Sequence, residues 1–281
     1  MDIEKVSLNV MFDGEQLKFK HKSSSLECSM TFSIYLPPQA KIQDVPIIYW
    51  LSGLTCSDDN FVQKSGAQKY AAENGVAIVC PDTSPRGDSV PNDLEDSYDL
   101  GLGAGFYVNA TQEPWTKNYH MYDYVTTELP NVLKNSHLPL QDNNCSIMGH
   151  SMGGHGAINI ALKNPGKYKS VSAMAPICSL INSPWGQKAL ENYIGPDRKN
   201  WEQYESCLLI SKSEEKLYLL IDQGQDDEFL ENQLKPELLK EACRRANYPL
   251  KLRFQPGYDH SYFFIASFIN DHIKHHQEFL F

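Results

Sequence analysis

From Pro46 onward the chain is punctuated by short continuous apolar runs: Ile47 to Leu51, Val76 to Cys80, Cys145 to Met148, Val171 to Ala175, Leu217 to Ile221 and Leu250 to Phe254. A short run without polar alternation reads as a strand buried on both faces, and strands separated by helical stretches build a parallel sheet covered by those helices. The N-terminal part is patterned differently. After the Phe12-Asp13-Gly14 turn, the stretches Leu17-Lys18-Phe19-Lys20-His21 and Cys28-Ser29-Met30-Thr31-Phe32-Ser33-Ile34 alternate, which predicts antiparallel strands at one sheet edge. The expected fold is α/β, a mostly parallel sheet with antiparallel N-terminal strands and helices on both faces. With 281 residues, 41% of them hydrophobic, 17 glycines and 16 prolines, the chain can bury a sizeable core, and a single domain over residues 1–281 is expected. Internal repeats, low-complexity tracts and linkers are not visible.

Catalytic groups in such sheets belong at the carboxyl ends of the strands. Directly after the run Cys145 to Met148 stands Gly149-His150-Ser151-Met152-Gly153, a G-x-S-x-G pentapeptide leading into the small-residue stretch Gly153 to Ala157. Alone the pentapeptide is weak evidence, because glycines flank serines by chance. Its context gives it weight: strand, tight turn and helix are what a nucleophile elbow requires, since the serine takes a strained backbone position between neighbours with almost no side chain. The spacing predicts a helix from about Met152 to Lys163, with Ile158, Ala161 and Leu162 on one side, stopped by Asn164-Pro165-Gly166. Its N-terminus points at Ser151, leaving the Met152 N–H free to face a developing oxyanion.

A serine hydroxyl needs a base within hydrogen-bond reach and an acid that orients the base. On this fold the chain order is Ser, then Asp or Glu, then His. His260 follows the run Leu250 to Phe254 in a loop, where a base would be delivered, whereas His155 lies one helical turn beyond Ser151 and suits packing or hydrogen bonding. The acid should follow the run Leu217 to Ile221. Asp222, Asp226 and Asp227 compete for that role, spacing does not separate Asp226 from Asp227, and an N-cap is the structural alternative for whichever is not catalytic. A second oxyanion donor is expected from Ser52-Gly53-Leu54-Thr55-Cys56, with the N–H of Leu54 chosen by position. Between Thr83 and Asn118 lies a stretch rich in Gly, Pro, Asp and aromatics without periodicity, and a loop that long is expected to wall the site.

Composition excludes other classes. The formal charge is −10, from 25 Lys+Arg against 35 Asp+Glu, and no basic cluster resembles a nucleic-acid footprint. No apolar run reaches the ~20 residues that cross a bilayer, so no membrane span is expected. The cysteines at 28, 56, 80, 145, 178, 207 and 243 stand singly without a C-x-x-C pair, and Met1-Asp2-Ile3-Glu4-Lys5 has no apolar leader, so a reduced, cytoplasmic protein is expected. His272, His275 and His276 lie toward the end of an amphipathic helix of roughly Tyr262 to Phe281, without the spacing of a known metal site, and are read as a solvated face; no metal and no cofactor is implied.

Taken together, several stretches resemble the S-formylglutathione hydrolase (esterase D) family of α/β-hydrolases over nearly the whole chain: Tyr49-Trp50-Leu51-Ser52-Gly53-Leu54-Thr55-Cys56, Pro81-Asp82-Thr83-Ser84-Pro85-Arg86-Gly87, Gly103-Ala104-Gly105-Phe106-Tyr107-Val108, Gly149 to Ala157, and Gly257-Tyr258-Asp259-His260-Ser261-Tyr262. The resemblance implies Asp227 as the acid, completing Ser151, Asp227 and His260. It implies hydrolysis of S-formylglutathione to glutathione and formate in formaldehyde removal, side activity as a carboxylesterase, and a homodimer. A formyl group is the smallest acyl group, so a tight acyl pocket is expected, with Trp115 and Trp185 as candidate walls and core packing as their alternative. Cys56 looks like the family's cysteine near the active site; a buried small apolar residue is the plainer reading. One stretch departs from the family pattern: Ser89 to Ser97, with Asp88, Asp93, Glu95 and Asp96 in or beside it, is acidic and would repel the glutathione carboxylates unless it faces away.

Two other readings remain beside this one. A general short-chain carboxylesterase would share every catalytic residue and differ only in substrate preference. A hydrolase fold kept as a binding scaffold would be expected to have lost a triad member, and none is missing here.

Overall fold

The computed structural model describes residues 3–281. Among these, the strands β1 (Glu4–Met11), β2 (Gly14–Lys22), β3 (Ser29–Leu36), β4 (Val45–Leu51), β5 (Ala77–Pro81), β6 (Leu140–His150), β7 (Val171–Met174), β8 (Leu219–Gly224) and β9 (Leu250–Gln255) form one sheet in the order β1-β2-β3-β5-β4-β6-β7-β8-β9. The pairs β1/β2, β2/β3 and β3/β5 are antiparallel. From β5 through β4 to β9 every pairing is parallel.

The helices are α1 (Asp58–Lys64), α2 (Ala67–Asn74), α3 (Met121–Asp123), continued by a π-helical turn (Tyr124–Glu128) into α4 (Leu129–Lys134), then α5 (Met152–Lys163), α6 (Pro184–Ile194), α7 (Ser206–Lys212), α8 (Pro236–Arg245) and α9 (Tyr262–Leu280). Every residue of β4, β5 and β7 is buried. Because successive side chains of a strand point to opposite faces, burial of all of them means that both faces of the central sheet are covered. This is the mostly parallel, doubly covered sheet that the continuous apolar runs predict, except that the run Leu250 to Phe254 forms the edge strand β9, which is only partly buried.

Differences from the sequence reading have physical causes. Strand β1 was not anticipated, although Val6, Leu8 and Val10 alternate with polar residues; it is the edge strand, and all its side chains are exposed. The C-terminal histidines do not form a solvated face. Helix α9 lies against β6, β7 and β8, which buries His272, His275 and His276. There His272 and His276 join Ser170 and Ser172: Ser170 Oγ and His276 Nδ1 are 2.7 Å apart, Ser172 Oγ is 2.8 Å from both His276 Nε2 and His272 Nδ1, and His272 Nε2 is 3.0 Å from Asp222 Oδ2, whereas His275 Nε2 is buried without a partner among the described residues. A buried polar side chain costs free energy unless it is hydrogen-bonded, and this chain of contacts meets that requirement for His272 and His276. Burial pushes the His276 imidazole well below its ordinary range and that of His275 down to about 4, so both are neutral at pH 7.

Candidate active site

Strand β6 ends at His150 and α5 begins at Met152, leaving Ser151 as the single residue between them, with φ 57° and ψ −119°. That left-handed backbone is costly for a residue with a Cβ and persists only where the surroundings enforce it. Here Ser151 N–H donates to the Met174 carbonyl at 3.0 Å, and the Ser151 carbonyl accepts from His155 at 3.0 Å and Ile177 at 3.2 Å. The flanking glycines permit the close approach: a Cβ on Gly149 would collide with the Gly153 carbonyl, and one on Gly153 with the Leu51 carbonyl.

His260 and Asp227, the candidate base and acid, follow the ends of β9 and β8. His260 Nδ1 lies 2.6 Å from Asp227 Oδ2. The Asp227 carboxylate is fully buried and also accepts from Phe229 N–H at 2.9 Å and from Gln223 Nε2 at 3.1 Å. With its Nδ1 proton directed at a carboxylate, the imidazole keeps its Nε2 lone pair for the cavity side. Ser151 and His260 line the same cavity of about 320 Å³. Among the described residues no hydrogen bond joins the Ser151 hydroxyl to the imidazole; such contacts in ligand-free sites often tighten only around substrate.

Asp226 and Asp222 have other surroundings. Asp226 is exposed, and its main-chain N–H donates to the Tyr258 carbonyl at 2.9 Å. Asp222 is buried in β8, where Arg253 Nε (2.6 Å), Gln255 Nε2 (2.9 Å) and His272 surround it. Burial alone would raise its pKa, but the bonds from His272, Arg253 and Gln255 outweigh it and bring the carboxyl down to about 2. It is therefore a structural anion, held away from His260.

The loop after β4 runs beside Ser151, close enough that a Cβ on Gly53 would lie 3.0 Å from the Ser151 Cβ. Leu54 lines the cavity, and neither its N–H nor that of Met152 is donated to a protein acceptor among the described residues. The long stretch between Thr83 and Asn118 buttresses this loop from behind: Thr55 N–H donates to the Gly103 carbonyl at 2.9 Å, and Tyr107 Oη donates to the Ser52 carbonyl at 2.8 Å. It also contributes Tyr98 to the cavity wall. The acidic residues Asp93 and Glu95 face a different depression, away from Ser151.

Of the two tryptophans, Trp185 lines the cavity; its Nε1 donates to Tyr98 Oη at 3.0 Å and its ring tilts on Phe229 at 4.8 Å. Trp115 does not. It packs edge-on to Tyr119 at 5.0 Å and Tyr193 at 5.3 Å, and so belongs to an aromatic cluster of the core. Cys56 does line the cavity, and burial pushes its thiol up, so at neutral pH it is a thiol and a poor nucleophile.

Several cavity residues were not singled out from sequence. His150, the second residue of the pentapeptide, lies tilted against His260 with ring centroids 4.4 Å apart. Burial, and then the neighbouring His260, hold its imidazole well below the ordinary range, so it stays neutral beside His260. Phe229 meets the His260 ring edge to face at 5.1 Å. Asn60 and Lys64 of α1, with Ser261 and Tyr262, complete the wall. Ser261 and Tyr262 adjoin His260 in sequence, which was a usable signal; Asn60 and Lys64 carry none, since only folding brings α1 to Ser151.

Comparison with known proteins places the chain in a family. Residues 23–275 match the model of the family described as "Putative esterase". The chain is 53% identical over 282 residues to S-formylglutathione hydrolase of Rattus norvegicus, covering 100% of this chain and 99% of the relative. It is 55% identical over 280 residues to S-formylglutathione hydrolase of Arabidopsis thaliana, covering 99% and 98%. The solved structure of an S-formylglutathione hydrolase from Agrobacterium tumefaciens superposes with a TM-score of 0.96 at 46% identity, covering 99% of both chains.

Proposed function

The chain belongs to the S-formylglutathione hydrolase family of esterases, and from that premise we propose that it hydrolyses S-formylglutathione to glutathione and formate, with Ser151, His260 and Asp227 as its catalytic triad. The observation that carries the assignment of residues is the 2.6 Å contact between His260 Nδ1 and the buried Asp227, on the cavity that Ser151 also lines.

In this reading His260 Nε2 takes the Ser151 proton as Oγ attacks the formyl carbon. The carbonyl oxygen becomes an oxyanion held by the N–H groups of Leu54 and Met152; one such donor is worth ~3 kcal/mol of transition-state stabilisation. Collapse breaks the C–S bond, His260 returns its proton to the departing glutathione sulfur, and formyl-Ser151 remains. A water molecule then gives its proton to His260 and attacks the formyl carbon, and the second collapse frees formate and restores the serine. Asp227 keeps the imidazole in the tautomer that both half-reactions need. Backbone dipoles carry the developing charge, so the scheme includes no cofactor.

Trp185, Phe229 and Tyr98 support a narrow acyl pocket, since their rings crowd the side of the cavity next to His260. The family resemblance further supports a homodimer, the continuous sheet supports a single domain, and the unpaired thiols support a reducing, cytoplasmic site of action. Among the described residues no helix is long and apolar enough to cross a membrane.

The test is kcat/KM for S-formylglutathione beside S-acetylglutathione and a small aryl acetate on the purified protein. A formyl thioester preference of several hundredfold supports the proposal. Comparable values for all three substrates would make the protein a general esterase and remove the formaldehyde pathway role.

A further inference from the structure

The chain carries a formal charge of −10, yet the residues lining the Ser151 cavity include no aspartate or glutamate and one ammonium, that of Lys64. The contrast arises within α1. Asp58 is buried and accepts from Thr31 at 3.0 Å and Ser33 at 2.7 Å, while Asp59 pairs with Lys18 at 2.6 Å. Both carboxylates of the helix are thus engaged by β2 and β3, away from the cavity. Asn60 and Lys64, spaced four residues apart, share the opposite face of the helix and line the cavity together.

Both side chains keep hydrogen-bond donors without a protein acceptor among the described residues. Asn60 Oδ1 accepts from Ser57 N–H at 2.9 Å, closing the helix cap, and this fixes the amide while its Nδ2 donates to no protein acceptor among the described residues. Lys64 makes no ion pair among the described residues, and its Nζ lies 5.5 Å from the centroid of the Tyr262 ring, two residues beyond His260. An ammonium and an amide N–H one helical turn apart match the two oxygens of a carboxylate. In a strongly anionic protein a substrate with carboxylates is repelled by the overall field, so a local cationic wall is what would admit it.

Building on the reading that the substrate is a glutathione thioester, we propose that Lys64 and Asn60 form a carboxylate-binding subsite that holds the peptide half of the substrate and selects it over uncharged esters. The subsite acts on binding, and the acyl chemistry at Ser151 is separate from it.

The probe is S-methylglutathione, a thioether that cannot be cleaved, used as a competitive inhibitor of aryl acetate turnover. In Lys64→Met its Ki is expected to rise about tenfold, the equivalent of about 1.4 kcal/mol. The diethyl ester of the same compound, lacking both carboxylates, should inhibit the wild type and Lys64→Met equally. Asn60→Asp keeps a cap acceptor but replaces the amide donor by a negative oxygen, and should also raise Ki for the free acid and not for the diester. Raising the salt concentration should weaken inhibition of the wild type by the free acid more than that of Lys64→Met. An unchanged Ki in Lys64→Met, equal losses for the acid and the diester, or no inhibition of the wild type by S-methylglutathione would each overturn the subsite. Loss of the subsite with S-formylglutathione turnover intact leaves the function standing, whereas a wild type that fails to turn over S-formylglutathione removes the function itself.

Discussion

Replacing Asp227 by Asn tests the arrangement at its least forgiving point. The carboxylate accepts three donors: His260 Nδ1 (2.6 Å) and Gln223 Nε2 (3.1 Å) on Oδ2, and Phe229 N–H (2.9 Å) on Oδ1. An asparagine has one acceptor oxygen. With that oxygen kept on the Phe229 N–H, the amide NH2 faces two former donors, and the imidazole can satisfy it only by presenting its Nδ1 lone pair. The ring proton then sits on Nε2, the atom that must accept the Ser151 proton. A tautomer error of this kind costs on the order of 10⁴ in kcat in a serine triad, about 5.5 kcal/mol of activation free energy. The side chain keeps its volume, so the folded population should persist. Two neighbours serve as internal controls. Asp226→Asn alters an exposed side chain and should stay within about threefold of wild type, as surface changes away from special features do. Asp222→Asn should lower stability, because it breaks a buried ion pair with Arg253, while the molecules that fold retain activity. The assay is kcat for S-formylglutathione and an aryl acetate, with thermal unfolding measured on each variant. An Asp227→Asn enzyme within tenfold of wild type, or an Asp226→Asn enzyme that loses orders of magnitude, would refute the reasoning.

Other outcomes follow from the same geometry. Ser151→Ala should abolish ester and thioester turnover, with the sheet and its unfolding transition retained; turnover near the wild-type level would remove the serine from the mechanism. Asp222 has a folded pKa of about 2 against 3.8 for the ordinary carboxyl. A lowered folded pKa gives stability that is complete above the unfolded value and lost as pH falls through the folded one, so this contribution should fade between about pH 4 and pH 2. Acid unfolding of Asp222→Asn should therefore depend less on pH across that window than the wild type does. Because burial raises the Cys56 thiol, its alkylation by iodoacetamide should be slow at pH 7 and accelerate above pH 9, a profile to be followed by mass spectrometry.

Helix α5 was readable to both ends, Met152 and Lys163, because its start is fixed by the pentapeptide and its stop by Asn164-Pro165-Gly166, all within a few residues. The buried strands were readable as apolar runs, with ends displaced where polar residues continue the ladder. Thus β6 begins at Leu140, before the apolar run at Cys145, and β8 continues through Asp222 to Gly224. Asp222 could pass as a candidate acid because sequence does not show that Arg253 and His272 take it up from β9 and α9. For the same reason Trp115 and Trp185 looked alike, although one is enclosed by Tyr119 and Tyr193 and the other stands over Phe229.

The sequence by itself determined the sheet apart from β1, the elbow at Ser151 and the loop that carries His260, because each depends on residues adjacent along the chain: periodicity, glycine spacing and strand ends. Spacing left Asp226 and Asp227 unresolved. The family resemblance chose Asp227, and tertiary structure brought that carboxylate to the imidazole, buried His272 and His276 against Ser170 and Ser172, and set which face of α1 borders the cavity. Those outcomes depend on how distant elements dock on the sheet. A side chain's burial and hydrogen-bond partners are set by what packs against it, and that information is not carried by its immediate neighbours in sequence.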